Sequence, residues 1–293
     1  MEPLALILVF ISAVFHAGWN IMTRGQKSKT AFLARMLASV AVIGFIPAVA
    51  SEVITQSLPS LVWLYVALSG LCCGFYFYSL SRAYSAADFT IVYPLARAMP
   101  VLLIGVGDVL RGRPITPGGW LGMILVATGC TLAPLHSFRE IKLHRYFNRG
   151  NFWVLLAAAG TVGFTMFDKV SSEMVPAGPA SAARYGYFLY FFSFMTFALS
   201  MRLFGGDHTG NFGLKIKPVW PIIGGLFTFG GYWLILWAFQ MTEHASYVNS
   251  FRQFSIVLGV IVAFAVYKEK GHAVRLPGTL LIAAGLVILR LFG

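Results

Sequence analysis

The segment GMILVATGCTL, Gly122–Leu132, returns 156 residues later as GTLLIAAGLVI, Gly278–Ile288. Each copy carries two glycines seven residues apart within the same apolar pattern, and each closes one half of the chain. If each half contains five apolar spans, that odd number places the second half upside down relative to the first. The pattern therefore predicts an inverted repeat, with a binding site near the midplane between the two halves.

The composition is that of an integral membrane protein. Of the 293 residues, 58% are hydrophobic and 11% are charged, and the mean hydropathy is +0.77, whereas soluble domains carry roughly 25% charged residues. No cleavable signal peptide is expected, because the first apolar run begins at Pro3 without a basic region before it. Windows of about 20 apolar residues predict ten spans, near residues 4–23, 31–51, 61–83, 88–110, 117–135, 152–172, 180–204, 219–241, 245–267 and 274–292.

We therefore predict an all-α membrane protein, with ten transmembrane helices arranged as two inverted five-helix repeats around a central cavity. The first repeat takes residues 1–138, a cytoplasmic linker loop takes 139–150, and the second repeat takes 151–293. Because the loops are short, any function must reside among the helices. The expected surroundings are a lipid bilayer, crossed many times.

The formal net charge of +12 is explained by membrane topology and does not indicate nucleic-acid binding. The loops on one side hold most of the basic residues, whereas the other side has chiefly Arg111 and Arg113, with Arg290 near the C-terminus. This bias predicts that both termini lie outside the cytoplasm. The basic residues of the predicted cytoplasmic side are Arg24, Lys27, Lys29, Arg82, Arg139, Lys142, Arg145, Arg149, Arg202, Lys215, Lys217, Lys268, Lys270 and Arg275.

The sequence gives no sign of an enzyme, a metal site or a cofactor. Cys72, Cys73 and Cys130 all fall within apolar runs, which is typical of small core residues. His16 has no second histidine near it at ligand spacing, and the serines have no partner base in sequence.

Two of the predicted spans carry polar stripes at helical spacing. Span one has Ser12, His16, Asn20 and Thr23, with Trp19 beside the stripe. Span six has Thr161, Thr165, Asp168 and Ser172, and under the repeat Asp168 occupies the position that matches Asn20. Single Ser and Thr residues also bond neighbouring helices, but a charged residue in mid-span indicates function.

Span four contains YPLARAMP, Tyr93–Pro100. An arginine near the centre of a bilayer costs roughly 3 kcal/mol or more, and Pro94 and Pro100 each free a backbone carbonyl. Such a helix is tolerated beside a cavity, so Arg97 is predicted to face the interior, with the prolines as hinges. Arg252 in span nine lies about one turn from the equivalent position, together with Asn249 and Gln253. Two arginines from opposite halves suggest an anionic group between them; pairing with Asp168 or with freed carbonyls is the alternative.

Aromatic residues supply the other half of the predicted site. They make up 15% of the chain, and most of them belong to lipid-facing surfaces, interfacial belts or the core. The rings nearest the repeat axis are better candidates for a pocket that holds an apolar or aromatic side chain. These candidates, with one neighbouring hydroxyl, are Trp19, Tyr78, Ser79, Tyr93, Phe167 and Trp237.

The sequence resembles the drug/metabolite transporter superfamily, in its ten-helix EamA-type branch. The resemblance rests on the ten spans in two halves, on YPLARAMP in span four and on GMILVATG and GTLLIAAG in the closing helices. Within that branch, the aromatic enrichment and the AGWN stretch of span one look most like bacterial aromatic amino-acid exporters. The resemblance implies that spans one, three, four, six, eight and nine surround the cavity, while spans five and ten are peripheral.

Two departures from the family pattern are present. The acidic residue that follows the fourth helix of such halves is Glu269 in the second half, but the aligned residue of the first half is Arg111. The counterpart of YPLARAMP, SFRQFSIVL, lacks both prolines, so span four alone is expected to be strongly broken. Few basic residues lie within the spans beyond Arg97, Lys169 and Arg252, which makes sugar phosphates less suitable substrates.

The leading functional hypothesis is an inner-membrane carrier that exports aromatic amino acids by alternating access, with other neutral amino acids as a wider substrate range. Arg97, or alternatively Arg252, would bind the carboxylate, and Asp168, Asn20 or Gln253 would bind the ammonium group. Two alternatives stay open: a broad-specificity drug or metabolite exporter of the same superfamily, and a membrane receptor or scaffold that does not transport. The sequence also leaves open whether the carrier is a monomer and whether it is coupled to protons.

Overall fold

A computed structural model describes residues 1–86, 89–135, 137, 149–205 and 217–293, without the side chains of 85–95 and 149–151. Most of the predicted linker loop, 139–150, lies outside these ranges, as do Arg139, Lys142, Arg145 and Lys215. The described residues form helices and no strand, in the order α1 (Pro3–Arg24), α2 (Lys29–Ile43), α3 (Phe45–Thr55), α4 (Ser60–Ala86), α5 (Phe89–Leu110), α6 (Pro117–Leu132), α7 (Arg149–Ser172), α8 (Pro179–Phe204), α9 (Val219–Phe239), α10 (Ala245–Arg252), α11 (Phe254–Ala265) and α12 (His272–Phe292).

The helices are those of a protein that crosses a membrane many times. Among the described residues, seven helical stretches are long and apolar enough to span a bilayer, or eight if α2 and α3 form one bent span. The 16-residue α6 is apolar but shorter, and α5 lies at the position predicted for span four. Ten crossings remain a prediction.

Two predicted spans are divided, and neither is the one expected. The helix predicted at 31–51 bends by 46° between α2 and α3. Pro47, in the first turn of α3, has no N–H for the carbonyl of Ile43, so the helix cannot continue straight. The span predicted at 245–267 is interrupted at Gln253, where backbone bonds Gln253 N to Ser250 O and Ile256 N to Gln253 O replace the α pattern.

The strong break predicted in span four is wrong. The helix α5 runs without interruption from Phe89 to Leu110, through both Pro94 and Pro100. A proline inside a helix removes one hydrogen bond, but the neighbouring turns can remain helical. The interruption lies in span nine instead, within the polar run SFRQFS.

Contacts identify two ends of the helix bundle. At one end, Glu2, Arg113, Glu173 and Gln240 line a common surface cleft, and we call it the Glu2 end. At the other, Arg24 bonds Glu269 at 2.8 Å, and we call it the Arg24 end. Between the ends, α4 packs on α7 and α8, α1 packs on α9, and α6 packs on α12.

The repeated glycines bring α6 and α12 into direct backbone contact. A Cβ atom built on Gly122 would lie 2.8 Å from the Gly285 carbonyl oxygen, and one built on Gly129 would lie 2.5 Å from that of Gly278. Only glycine permits so close an approach, which is typical of small residues between membrane helices. The pair lies outside the ring of helices that surrounds the candidate site, as expected for spans five and ten.

Candidate functional site

A small cavity of about 50 Å³ lies near the middle of the bundle. It is lined from α1, α4, α5, α7, α9 and α10, which are the helices expected for spans one, three, four, six, eight and nine. The helix α8 adds Tyr190, which the sequence did not indicate. The lining residues are His16, Trp19, Asn20, Cys73, Tyr76, Phe77, Leu80, Tyr84, Ala96, Arg97, Pro100, Thr161, Phe164, Tyr190, Thr228, Tyr232, Asn249, Arg252 and Gln253.

Two arginines from opposite halves of the chain meet at one histidine. Arg97 Nη1 contacts His16 Nε2, and Arg252 Nη2 lies 3.1 Å from His16 Nδ1. The indole N–H of Trp19 also donates to His16 Nδ1, at 3.2 Å. Since a neutral imidazole has one acceptor nitrogen and one N–H, it cannot accept from donors on both sides of the ring.

The cluster brings positive charge to the cavity. The described lining residues include two guanidinium groups and no carboxylate. Arg97 also donates to Ser255 Oγ at 2.7 Å, and the Arg252 guanidinium lies 5.1 Å from the centre of the Tyr232 ring. An anion that enters the cavity would therefore find two preformed charged donors.

Amide groups stand beside the arginines. Asn20 Nδ2 donates to the His16 carbonyl at 2.7 Å, and Gln253 Nε2 donates to the Asn249 carbonyl at 3.2 Å. Buried polar atoms of Asn249, Arg252 and Gln253 have no hydrogen-bond partner among the described residues, namely Asn249 Nδ2, Arg252 Nε and Gln253 Oε1. Two are donors and one is an acceptor, so the cavity presents both kinds of bonding group to a ligand.

The rest of the wall is aromatic. Tyr232 meets Phe164 edge-to-face with their ring centroids 5.6 Å apart, and it meets Tyr190 in the same way at 6.3 Å. Tyr76 packs against Phe77 at 5.0 Å and against Phe164 at 5.8 Å. The cavity thus has a cationic side and an aromatic side, which is the ordinary design of a small-molecule site.

Asp168 lies behind this aromatic wall and does not line the cavity. Its carboxylate accepts hydrogen bonds from three hydroxyls, those of Ser69 at 2.5 Å, Tyr185 at 2.8 Å and Tyr232 at 2.5 Å. The alternative that Asp168 pairs with an arginine is therefore wrong, because hydroxyls from three helices occupy both of its oxygens. Asp168 reaches the cavity only through Tyr232.

Lys169, the neighbour of Asp168, points elsewhere. Its ammonium group donates to the Phe239 carbonyl at 2.9 Å and pairs with Glu173 at 2.9 Å, toward the Glu2 end. Adjacent helix positions differ by about 100°, which accounts for the separation of the two charges.

Several predicted site residues do not reach the cavity. Tyr78 is fully buried, where it donates to the Gly205 carbonyl at 3.1 Å and packs against Trp153. Phe167 stacks on Tyr65, at 6.1 Å. Ser79 is buried and Trp237 packs against the core, both outside the lining. The cause is helix phase: in α4 the stripe at 73, 76, 77, 80 and 84 faces the cavity, and residues 78 and 79 point away from it.

The other predicted site residues are brought together. His16, Trp19, Asn20, Arg97, Asn249, Arg252 and Gln253 all line the cavity, as does the proposed hinge residue Pro100. The side chains of Tyr93 and Pro94 lie outside the described residues. Residues that the sequence did not single out include Tyr76, Tyr84, Phe164, Tyr190 and Tyr232. Thr228 and Tyr232 lie four residues apart in an otherwise apolar helix, so they share one face. This spacing was the sequence signal that could have identified the face of α9 toward the cavity.

Comparisons with known proteins agree with this architecture. The EamA-like transporter family model matches residues 3–133. An uncharacterized transporter from the cobO 3' region of Sinorhizobium sp. is 31% identical over 106 residues, which cover 36% of this chain and 75% of that protein. A crystal structure of a protein 15% identical in sequence superposes with a TM-score of 0.74 over 98% of this chain and 96% of the other, and so shares the fold. The chain therefore belongs to the EamA-like transporter family.

Proposed function

We propose that this transporter exports amino acids with an aromatic or large apolar side chain from bacteria, by alternating access across the inner membrane. The observation that carries the proposal is that Arg97 and Arg252, from opposite halves of the chain, meet at His16 in the central cavity, where Arg252 Nε and Asn249 Nδ2 have no hydrogen-bond partner within the described part of the chain. A charged side chain within a membrane is costly. A substrate that brings a carboxylate removes this cost while it is bound.

The carboxylate of the substrate fits the cationic side of the cavity. Arg252 has an unsatisfied Nε–H, and Asn249 offers an unsatisfied amide N–H from the same helix. Arg97 approaches the same imidazole from the opposite nitrogen. A planar guanidinium can bind a carboxylate through two parallel hydrogen bonds, which gives direction as well as affinity.

The ammonium group of the substrate fits neighbouring acceptors. Gln253 Oε1 is buried without a partner, one residue after Arg252, and Tyr190 lines the same cavity. An ammonium group is attracted both to an amide oxygen and to the face of an aromatic ring. We assign this role to Gln253 rather than to Asp168, since Tyr232 stands between Asp168 and the cavity.

The aromatic side of the cavity suits the substrate side chain, but the space is small. A cavity of about 50 Å³ holds only a few water molecules, because each needs roughly 10–15 Å³ measured in this way. An amino acid enters only if the helices around the cavity move apart. This requirement accords with a carrier that alternates between conformations rather than with an open channel.

Reciprocal contacts support the inverted repeat with its ten crossings. In the repeat, Gly122 is equivalent to Gly278, and Gly129 is equivalent to Gly285. The observed contacts join Gly122 to Gly285 and Gly129 to Gly278. Exchange of the two halves converts each contact into the other, as in a two-fold interface. The pairs α1–α9 and α4–α7 exchange in the same way.

Two ion pairs follow the same symmetry with their charges reversed. At the Arg24 end, Arg24 of α1 bonds Glu269, which follows α11, at 2.8 Å. At the Glu2 end, Glu173, which follows α7, bonds Arg111, which follows α5, at 2.9 Å. Since Arg111 aligns with Glu269, the departure from the family pattern preserves an ion pair at each end. Equivalent ion pairs would then close the two ends of the bundle.

Transport by purified protein tests the proposal. Proteoliposomes would be offered labelled phenylalanine without an imposed gradient, and uptake should be blocked by unlabelled phenylalanine but weakly by phenethylamine, which lacks the carboxylate. Block by phenethylamine and other lipophilic cations, with no effect of phenylalanine, would favour a drug exporter instead. Binding of phenylalanine without flux would indicate a receptor.

A further inference from the structure

A second and larger cavity lies between α1 and α11 at the Arg24 end. Its volume is about 270 Å³, close to the lower bound of ordinary small-molecule pockets, roughly 300 Å³. We call it the vestibule. Its lining residues are Ala17, Asn20, Ile21, Arg24, Lys29, Ala133, Pro134, Ser255, Ile256, Gly259, Val260, Val262, Ala263, Tyr267, Glu269 and Arg275.

The vestibule and the central cavity are adjacent. Asn20 lines both of them. A side-chain hydrogen bond also joins the two cavities, since Arg97 of the central cavity donates to Ser255 of the vestibule at 2.7 Å. A substrate that passes from the vestibule to the central arginines would break this hydrogen bond.

Its chemistry repeats that of the central cavity. Three cationic side chains, those of Arg24, Lys29 and Arg275, stand against the single carboxylate of Glu269 among the described lining residues. Glu269 bridges Arg24 and Arg275 with a distance of 2.8 Å to each. The opposite wall is apolar, and the Tyr267 ring lies 5.6 Å from the Arg24 guanidinium carbon.

We propose that the vestibule is a second binding site for the transported anion, in which the substrate carboxylate replaces that of Glu269 on Arg24 and Arg275 while the side chain rests on the apolar wall. This inference rests on the proposed function, since it concerns the same substrate class. In the absence of substrate, the Glu269 carboxylate pairs with Arg24 and Arg275 and keeps both arginines in position. Binding here precedes entry to the central cavity from the Arg24 end, or follows release from it.

Gly259 provides a direct test because it faces the vestibule. Gly259 lines the vestibule, and a Cβ atom built on it meets nothing within 4 Å, so a larger side chain begins in open space and reduces the volume of the vestibule. Phenylalanine also has a higher helix propensity than glycine. The matched control is Ile261→Phe, two residues along α11, where the side chain is 54% exposed on the surface of the bundle.

Transport of labelled phenylalanine should fall at least tenfold in Gly259→Phe and stay within twofold of wild type in Ile261→Phe. Equal transport by the two variants would overturn the proposal that the vestibule binds substrate, but it would not affect the proposed function. No transport by the wild-type protein would overturn the proposed function itself. The melting temperature of each variant is first compared with that of the wild-type protein. If a variant is less stable, photolabelling of the wild-type protein tests the proposal in its place.

Photolabelling of the wild-type protein with azidophenylalanine distinguishes a substrate from a lipid in the vestibule. Labelling of α11 around Gly259, suppressed by excess phenylalanine, is the expected result. Labelling of the same segment by a photoactivatable phospholipid, unaffected by phenylalanine, would assign the vestibule to lipid and overturn the proposal.

Discussion

Arg252 carries the most specific part of the proposed site. Its guanidinium has an unsatisfied Nε–H, a contact with His16 and a position over the Tyr232 ring, but no carboxylate partner among the described residues. Tyr232 in turn is fixed by its hydrogen bond to Asp168 at 2.5 Å. The buried carboxylate thus positions the ring that supports the arginine, and acts on the substrate only through it.

Replacement of Arg252 by glutamine should raise the KM for phenylalanine about 10- to 100-fold. The reason is the loss of charged hydrogen bonds to the carboxylate, each contributing about 1.5–3 kcal/mol. The measurement is proteoliposome uptake over a range of concentrations, with phenethylamine as competitor. Arg202→Gln, at an exposed position late in α8, is the control. An unchanged KM in correctly folded Arg252→Gln would remove the arginine from the site.

Glu269 should stabilise the fold in a pH-dependent way. Burial alone would raise the pKa of Glu269, but hydrogen bonds from Arg275 and Arg24 and the charges of both hold that pKa below its ordinary value. A group with a depressed folded pKa contributes stability that is complete above its unfolded pKa, about 4.3, and is lost as the pH falls through the folded pKa.

The melting temperature of the wild-type protein should therefore exceed that of Glu269→Gln by a constant margin between about pH 8 and pH 5.5. The margin should shrink below about pH 4.5. The exposed Glu243 supplies the control variant Glu243→Gln. A margin that grew as the pH fell would mean that Glu269 is not held ionised by the two arginines.

At the scale of single residues, the sequence was sufficient where a polar group stood out from an apolar span. His16, Arg97 and Arg252 were identifiable because a charged or polar side chain within a membrane span is costly and is rarely present without a function. Tyr78 and Phe77 could not be separated in this way, since in a helix that is apolar all round nothing marks the face toward the cavity. The hydroxyl partners of Asp168 come from other helices, so no pattern within α7 reveals them.

At the scale of helices, hydropathy located the segments but not their interruptions. The prolines of span four predicted a break that α5 does not have, and the divided span nine contains no proline. Whether a helix continues depends on what its free carbonyls and polar side chains find in neighbouring helices. That information is tertiary, and the sequence of one span does not contain it.

The contact of α6 with α12 gives a prediction about packing. Gly285→Leu should lower the melting temperature by several degrees, because a Cβ on Gly285 would lie 2.6 Å from the Gly122 carbonyl oxygen and overpacking costs about 1–3 kcal/mol or more. Thermal denaturation in detergent measures the effect. Ala284→Leu is the matched control, since Ala284 is the exposed neighbour on α12. Equal stability of the two variants would show that the helices do not pack through their glycines.

At the scale of the whole molecule, the two ends of the bundle are held by different contacts. The Glu2 end is tied by Asp108, which is fully buried and accepts the backbone N–H groups of Ala245 and Ser246 at 3.2 and 2.9 Å. Lys169 adds its bond to the Phe239 carbonyl. The Arg24 end has the vestibule beside the Glu269 pairs. We interpret this conformation as closed at the Glu2 end and nearer to opening at the Arg24 end.

Cys73 offers a native reporter of which end is open, because it lines the central cavity. Arg111→Gln removes the bond to Glu173 at the Glu2 end, and Arg24→Gln removes the bond to Glu269 at the Arg24 end. Partly exposed ion pairs contribute about 0.2–1 kcal/mol, which shifts a two-state equilibrium about 1.5- to 5-fold. Each variant should therefore favour opening of its own end.

The measurement is labelling of Cys73 by a membrane-impermeant maleimide in vesicles of the two orientations. Arg111→Gln should raise the labelling rate about 1.5- to 5-fold for reagent added at the Glu2 end, and Arg24→Gln should do so for reagent added at the Arg24 end. Cys73→Ala shows how much label goes to other cysteines, and bound phenylalanine should protect Cys73 in both variants. If both variants raised labelling from the same end, the two ion pairs would not be equivalent latches, and the reversed charges of Arg111 and Glu269 would have no part in alternating access.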